Sequence, residues 1–206
     1  MMFGYVLGIL ILFVILWLGN GVRRIGLVSV GDTIPDRAGS ALLLIDLQSV
    51  FWEQGPYTQA EKESAAGVIF EEIEAARAQN RTVIAIRQEW SIPSTKAVAR
   101  LTMKGQAVEG SDGTELAQPF SELPDHVIAK RVQDAFETGE LDALLARLDV
   151  GRVRLVGLDF NYCVQKTALA ARNRGYDVTV VKDGTLAAAS TERAEKQMSS
   201  AGVAVR

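Results

Sequence analysis

Residues 41–46 read ALLLID, an unbroken apolar run that ends on a carboxylate and follows Gly39 and Ser40. A run this short and this uniformly apolar suits a strand covered on both faces, the kind found in parallel sheets. Downstream, residues 61–79 carry apolar side chains at 65, 66, 69, 73 and 76, a helical spacing, and Asn80 is a plausible stop. Residues 82–87 (TVIAIR) read as a strand and 126–130 (HVIAK) as extended. Residues 141–148 read as a helix with Leu141, Leu144, Leu145 and Leu148 on one face. Then come a strand over 153–157, a helix over 163–174 closed by Gly175, a strand over 177–181, a helix over 191–201 and a short strand over 203–205. Strands alternating with helices predict an α/β chain with a mostly parallel sheet covered on both faces. Residues 91–125 read as a long irregular stretch that wraps the site or mediates contacts.

The first twenty residues contain no charged side chain, and residues 1–19 read MMFGYVLGILILFVILWLG. As a helix at ~1.5 Å per residue this run is roughly 28 Å long, close to the hydrocarbon thickness of a bilayer. Tyr5 and Trp17 lie near its two ends, where amphipathic rings favour the interface. A cleaved signal peptide would want basic residues ahead of the run and a small-x-small cleavage site, but no Lys or Arg precedes the run and Leu16, Trp17 and Leu18 are a poor approach to such a site. Residues 1–20 therefore read as a transmembrane anchor in the lipid bilayer, 21–39 as a linker holding Gly26, Gly31, Pro35 and Gly39, and 40–206 as the folded domain. Arg23 and Arg24 follow the anchor directly, which places the domain in the cytoplasm.

Composition removes several classes of function. The formal net charge is -3, so no basic surface invites nucleic acid. A single cysteine excludes an internal disulfide and agrees with a reducing compartment. With one histidine beside it, a Cys₄ or Cys₂His₂ zinc site within the chain is impossible. No metal and no cofactor are expected.

Ligands of open parallel sheets bind beyond the carboxyl ends of the strands. That gives weight to Asp46, residues 87–91, Lys130, residues 158–163 and Asp183. Cys163 opens a helix, where free N–H groups and the helix dipole lower a thiol's pKa and can hold an oxyanion. Together Asp46, Lys130 and Cys163 supply a carboxylate to move a proton, a cation to stabilise a thiolate, and a nucleophile. His126 shares the extended run with Lys130 but lies ~13 Å away along it, too far to serve as the base if Lys130 reaches the thiol. Gln48, Phe51, Glu89 and Trp90 are candidates to line a substrate pocket. Gly105, Gly110 and Gly113 form no phosphate-binding fingerprint.

The segment GLDFNYCV at 157–164, followed by Thr167, Ala168, Ala171, Gly175 and Tyr176, resembles the nucleophile segment of the isochorismatase-like cysteine hydrolases. This superfamily includes nicotinamidases and N-carbamoylsarcosine amidohydrolases. The segment LIDLQ at 44–48, with Phe51, looks like its Asp-x-Gln motif, and HVIAK at 126–130, with Phe136, looks like its lysine segment. The resemblance spans about residues 40–206. It implies a three-layer α/β/α fold, an Asp46–Lys130–Cys163 triad, and a cis peptide at Leu158–Asp159 with the N–H groups of Asp159 and Cys163 as oxyanion hole. It also implies a homo-oligomer.

Two departures narrow the chemistry. Metal-binding nicotinamidases carry Asp-x-His after the second strand, where this chain reads RQEWS at 87–91. Isochorismatases that cleave a vinyl ether lack the cysteine that stands here at 163. The expected activity is hydrolysis of an amide-like C–N bond in a small molecule through a thioester at a cysteine of low pKa. The rival readings are a membrane-tethered module that binds a small molecule without turning it over, and a flavodoxin-like nucleotide-binding domain.

Overall fold

The computed structural model describes residues 2–206, so Met1, the first residue of the expected anchor, lies outside the described residues. Helix α1 (Met2–Ile25) is followed by β1 (Gly39–Ile45), a short α2 (Ser49–Trp52), α3 (Gln59–Ala78) and β2 (Thr82–Gln88). After these come α4 (Pro93–Thr102), β3 (His126–Lys130), α5 (Glu140–Arg147) and β4 (Val150–Gly157). A π-helical turn (Phe160–Val164) leads into α6 (Gln165–Asn173), β5 (Asp177–Thr185), α7 (Glu192–Ser200) and β6 (Ala204–Val205).

The six strands form one sheet in the order β3-β2-β1-β4-β5-β6, and every pair is parallel. The chain builds outward from β1 in one direction, then returns to build outward from β4 in the other. The strand order therefore reverses between β1 and β4, and a crevice opens at their carboxyl ends, the usual ligand position in such sheets. Asp46 follows β1 directly and residues 158–163 follow β4, so topology brings these two segments together at the crevice.

The alternation along β1 divides the core. Ala41, Leu43 and Ile45 pack with Leu141, Leu145, Val164, Ala168 and Met198 on the face of α5, α6 and α7. Leu42 and Leu44 pack with Ile69, Ile73 and Val156 on the face of α3. Both faces are covered, which gives three layers, as the uniformly apolar run requires. α3 begins at a reciprocal cap in which Thr58 and Glu61 satisfy each other's backbone N–H groups.

Three sequence expectations need correction. Residues 91–125 are not wholly irregular, since they contain α4, which starts with Pro93 in its first turn. The helix expected from Cys163 starts earlier, as the π-helical turn capped by Asp159, so the thiol sits inside the turn and not at its first residue. α1 runs on to Ile25, because Arg23 and Arg24 end the apolar run but not the helix. The segment after it lies along the domain: the Ser29 N–H donates to Asp134 Oδ2 at 2.7 Å and the Ile34 N–H to the Arg174 carbonyl at 2.8 Å.

α1 is apolar around its circumference, and its residues 5–16 are exposed. An 18-residue window within Tyr5–Ile25 has a mean hydropathy of 2.3, so the helix is long and apolar enough to cross a bilayer.

Candidate active site

β1 ends where the backbone of Asp46 turns into the left-handed region, at φ 52°, a conformation aspartate tolerates better than most residues. The Asp46 N–H still donates to the Ile86 carbonyl at 2.9 Å, which ties the turn to β2. On the other side Gly157 closes β4 at φ +116°, and a Cβ there would lie 2.1 Å from the Ile45 carbonyl oxygen. Only glycine lets the two strand ends approach this closely. The Leu158–Asp159 peptide that follows is cis.

Lys130 is the last residue of β3, two strands from β1, and its side chain is completely buried. Its ammonium lies 2.9 Å from Asp46 Oδ2, 3.2 Å from Cys163 Sγ and 2.5 Å from Gln88 Oε1. A buried ammonium without such partners would be prohibitive. Asp46 Oδ1 is buried and accepts no aligned hydrogen bond among the described residues, although the Cys163 thiol is near enough to weigh on the carboxyl's protonation. Asp46, Lys130 and Cys163 thus meet at one point. His126 is exposed at the opposite end of β3.

Burial holds Asp46 above the ordinary carboxylate range, with Lys130 pulling the other way. Burial would lower Lys130, but the attraction of Asp46 and then of Cys163 outweighs it and keeps the ammonium protonated. The Cys163 thiol is pushed up, first by burial and then by the Asp46 charge, and Lys130 only partly opposes them. This reverses the expectation of a low thiol pKa. Position near a helix start was legible in the sequence, whereas burial beside a carboxylate was not.

Above the three residues is a cavity of about 330 Å³, walled by Phe51, Tyr57, Trp90, Met103, Leu158 and Tyr162, with Asp46, Gln88, Gln133, Asp159 and Cys163 also at its surface. Phe51 and Trp90 were anticipated. Trp90 is buried, and its indole N–H has no acceptor among the described residues. The Asp159 carboxylate braces the loop: Oδ1 accepts from the Asn161 N–H at 2.8 Å, and Oδ2 from the Ala188 N–H at 2.7 Å and the Tyr57 hydroxyl at 3.1 Å. Burial and the neighbouring Asp159 charge raise Tyr57, which stays a neutral donor.

Two anticipated pocket residues stand elsewhere. Gln48 is fully buried and grips the backbone of Gln88, accepting from its N–H at 2.6 Å and donating to its carbonyl at 3.1 Å. Its side chain positions Gln88 and does not face the cavity. Glu89 pairs with Arg87 at 2.8 Å, outside the cavity wall. Tyr57, Met103 and Gln133 line the cavity without having been anticipated, and Gln88 and Tyr162 lie in the weighted segments 87–91 and 158–163 without having been named individually.

The place where metal-binding relatives were expected to carry Asp-x-His holds Gln88, spent on Lys130, and Trp90, spent on the wall. No three His, Cys, Asp or Glu side chains among the described residues stand together as a metal site. These residues do not fit a zinc ion.

Residues 40–205 match the model of the isochorismatase domain family. A probable inactive nicotinamidase of Arabidopsis thaliana is 29% identical over 159 residues, which cover 72% of this chain and 81% of that protein. The N-carbamoylsarcosine amidase of Thermoplasma acidophilum superposes with a TM-score of 0.70 at 24% identity, covering 82% of this chain and 96% of its own. The zinc-bound pyrazinamidase of Pyrococcus horikoshii gives 0.68 at 24% identity, covering 84% and 99%.

Proposed function

The chain belongs to the isochorismatase family, and from that premise we propose that it is a cysteine hydrolase that cleaves an amide-like C–N bond of a small molecule through a thioester. The observation that carries this reading is the convergence of a buried carboxylate, an ammonium and a thiol: the Lys130 ammonium lies 2.9 Å from Asp46 Oδ2 and 3.2 Å from Cys163 Sγ, and Cys163 in turn acts on the protonation of the Asp46 carboxyl.

In the proposed cycle the substrate carbonyl enters above Cys163 and excludes water. Asp46 takes the thiol proton, which its raised pKa suits it to hold and return. The thiolate, stabilised by the Lys130 ammonium at 3.2 Å, attacks the carbonyl carbon. The N–H groups of Asp159 and Cys163 hold the oxyanion, a role the Asp159 N–H is free to take since it has no protein acceptor among the described residues. Asp46 then protonates the leaving nitrogen as the C–N bond breaks. Water, deprotonated by Asp46, attacks the thioester, and the thiol regains its proton. The apolar walls favour an amide with an apolar body, and Phe51 and Trp90 are proposed to hold it. No step requires a metal. Residues 1–20 are proposed as a bilayer anchor, with Arg23 and Arg24 keeping the domain on the cytoplasmic side.

A second reading, binding without turnover, draws on the relative described as probably inactive. A panel of small amides, ureides and carbamoyl compounds, tested on the full chain and on Cys163→Ala, separates the two. Turnover that disappears in Cys163→Ala, by at least about a thousandfold, supports the hydrolase. Saturable binding with no product in either protein supports the binding module.

A further inference from the structure

We propose that the inner end of α1 is a positioning element of the candidate active site, holding the pocket wall formed by Trp90 and Gln133. This rests on reading that pocket as the place where Cys163 reacts.

The helix touches the wall in two ways. Ile25, the last residue of α1, accepts a hydrogen bond through its carbonyl from the Gln133 N–H at 3.0 Å, and Gln133 lines the pocket. The Ile25 side chain is 6% exposed and is buried in a cluster with Trp90, Val98 and Ala99, and Trp90 lines the same pocket. Leu18 packs against that cluster as well. Gly21 comes so close to α4 that a Cβ would stand 2.7 Å from the Ser94 carbonyl oxygen.

Leu18, Gly21 and Ile25 are spaced three and four apart, so they share one helix face. That face bears glycine where the backbones approach most closely and apolar side chains on either side. An apolar helix lying on the domain by chance would need neither the glycine nor the hydrogen bond to a pocket residue. The wall has reason to need support. Trp90 lies beyond β2 and Gln133 beyond β3, both in connecting segments, and reactive geometry is lost when such supports slacken by about 1 Å. Residues 5–17 of the same helix are outside this contact and remain mostly exposed.

The test uses the full chain in detergent, with iodoacetamide and the bulkier N-benzyl iodoacetamide as probes at mildly alkaline pH. Cys163 is the only thiol, so every thiol adduct reports on the pocket. Gly21→Val should wedge α1 away from α4, Ile25→Ala should empty its seat, and Ile25→Val should largely restore it. The expected result is that the ratio of the two alkylation rates shifts by roughly threefold or more in Gly21→Val and Ile25→Ala and returns toward wild type in Ile25→Val. Amide hydrogen exchange should quicken over residues 131–135 while β1 stays protected. If β1 also loses protection in the first two variants, Ile25→Val, which removes one methyl group, decides by a smaller shift or none. Unchanged ratios and unchanged exchange with a reactive Cys163 overturn this inference alone. A wild-type Cys163 that stays inert to both probes as the pH is raised through the alkaline range, with the fold intact, overturns the reading of the site, and this inference with it.

Discussion

The Lys130 ammonium lies 2.9 Å from Asp46 Oδ2 with neither side chain open to solvent beyond 2%. Such a pair is a poor source of net stability but is costly to break on one side only. Lys130→Met leaves a buried carboxylate unpaired and is expected to cost about 3–5 kcal/mol. Adding Asp46→Asn removes the stranded charge, and asparagine tolerates the left-handed backbone at this position. The double variant should regain most of the loss, read from chemical denaturation of the three variants and wild type in the same detergent. Equal losses in single and double variants would mean that the pair is not coupled.

Asp46→Asn should also separate thiol acidity from turnover. The Asp46 charge helps hold the Cys163 pKa up, so removing it should lower that pKa and speed alkylation at a fixed pH. Turnover should nevertheless fall by about a thousandfold or more, because the amide cannot take the thiol proton. The sign for wild type follows from the raised thiol pKa. Below it the protein carries a neutral thiol, so alkylation should be slow near neutrality and climb steadily through the alkaline range. A rate already at its plateau at neutral pH would contradict this. Lys130→Met should act in the opposite direction and slow alkylation further.

Trp90 walls the pocket, its indole N–H is buried without an acceptor among the described residues, and it is expected to recognise the substrate by turning that donor toward it. Trp90→Phe keeps an aromatic wall and removes the donor. With an amide turned over in the panel, KM should rise by roughly tenfold while kcat changes little, as for the loss of one hydrogen bond made equally in ground and transition states. A fall in kcat at constant KM would move Trp90 into the chemistry.

How legible all this was differs from residue to residue. β1 and β3 were readable with their terminal Asp46 and Lys130, because a buried apolar run that ends on a charge marks both a strand and its exit. Cys163 was readable through the motif around it. Gln88 was not singled out, since a glutamine at a strand end has no signature until the lysine it holds is in view. Gln48 and Glu89 were aimed at the pocket, but Gln48 is taken up by the backbone of Gln88, forty residues away, and Glu89 by Arg87. α4 escaped because its buried face is completed by α1, a partner remote in sequence, and because Ser94 and Thr95 are buried on it. The docking of α1 was hidden for the same reason. A charge-free run reads as one continuous span, whereas its last turns carry contacts that only the fold supplies.

That docking changes where the chain can be cut. Read from sequence alone, the end of the apolar run suggests removing residues 1–24. The fold argues against this: the cut takes away Leu18 and Gly21, strips Ile25 of its helix and bares the α4 face formed by Val98 and Ala99. Keeping residues 17–206 retains the docked turns and discards the exposed stretch before them. The 25–206 fragment is expected to be less stable than the 17–206 fragment by about 2–3 kcal/mol, the scale of one well-buried aliphatic side chain, and to aggregate through the uncovered face. Thermal unfolding and light scattering of the two fragments in the same detergent check this. Equal stability of both would show that the inner turns of α1 rest on the domain without supporting it. In membranes, the full chain should resist carbonate extraction and both fragments should not. A full chain that washes off would remove the anchor reading while leaving the difference between the fragments intact.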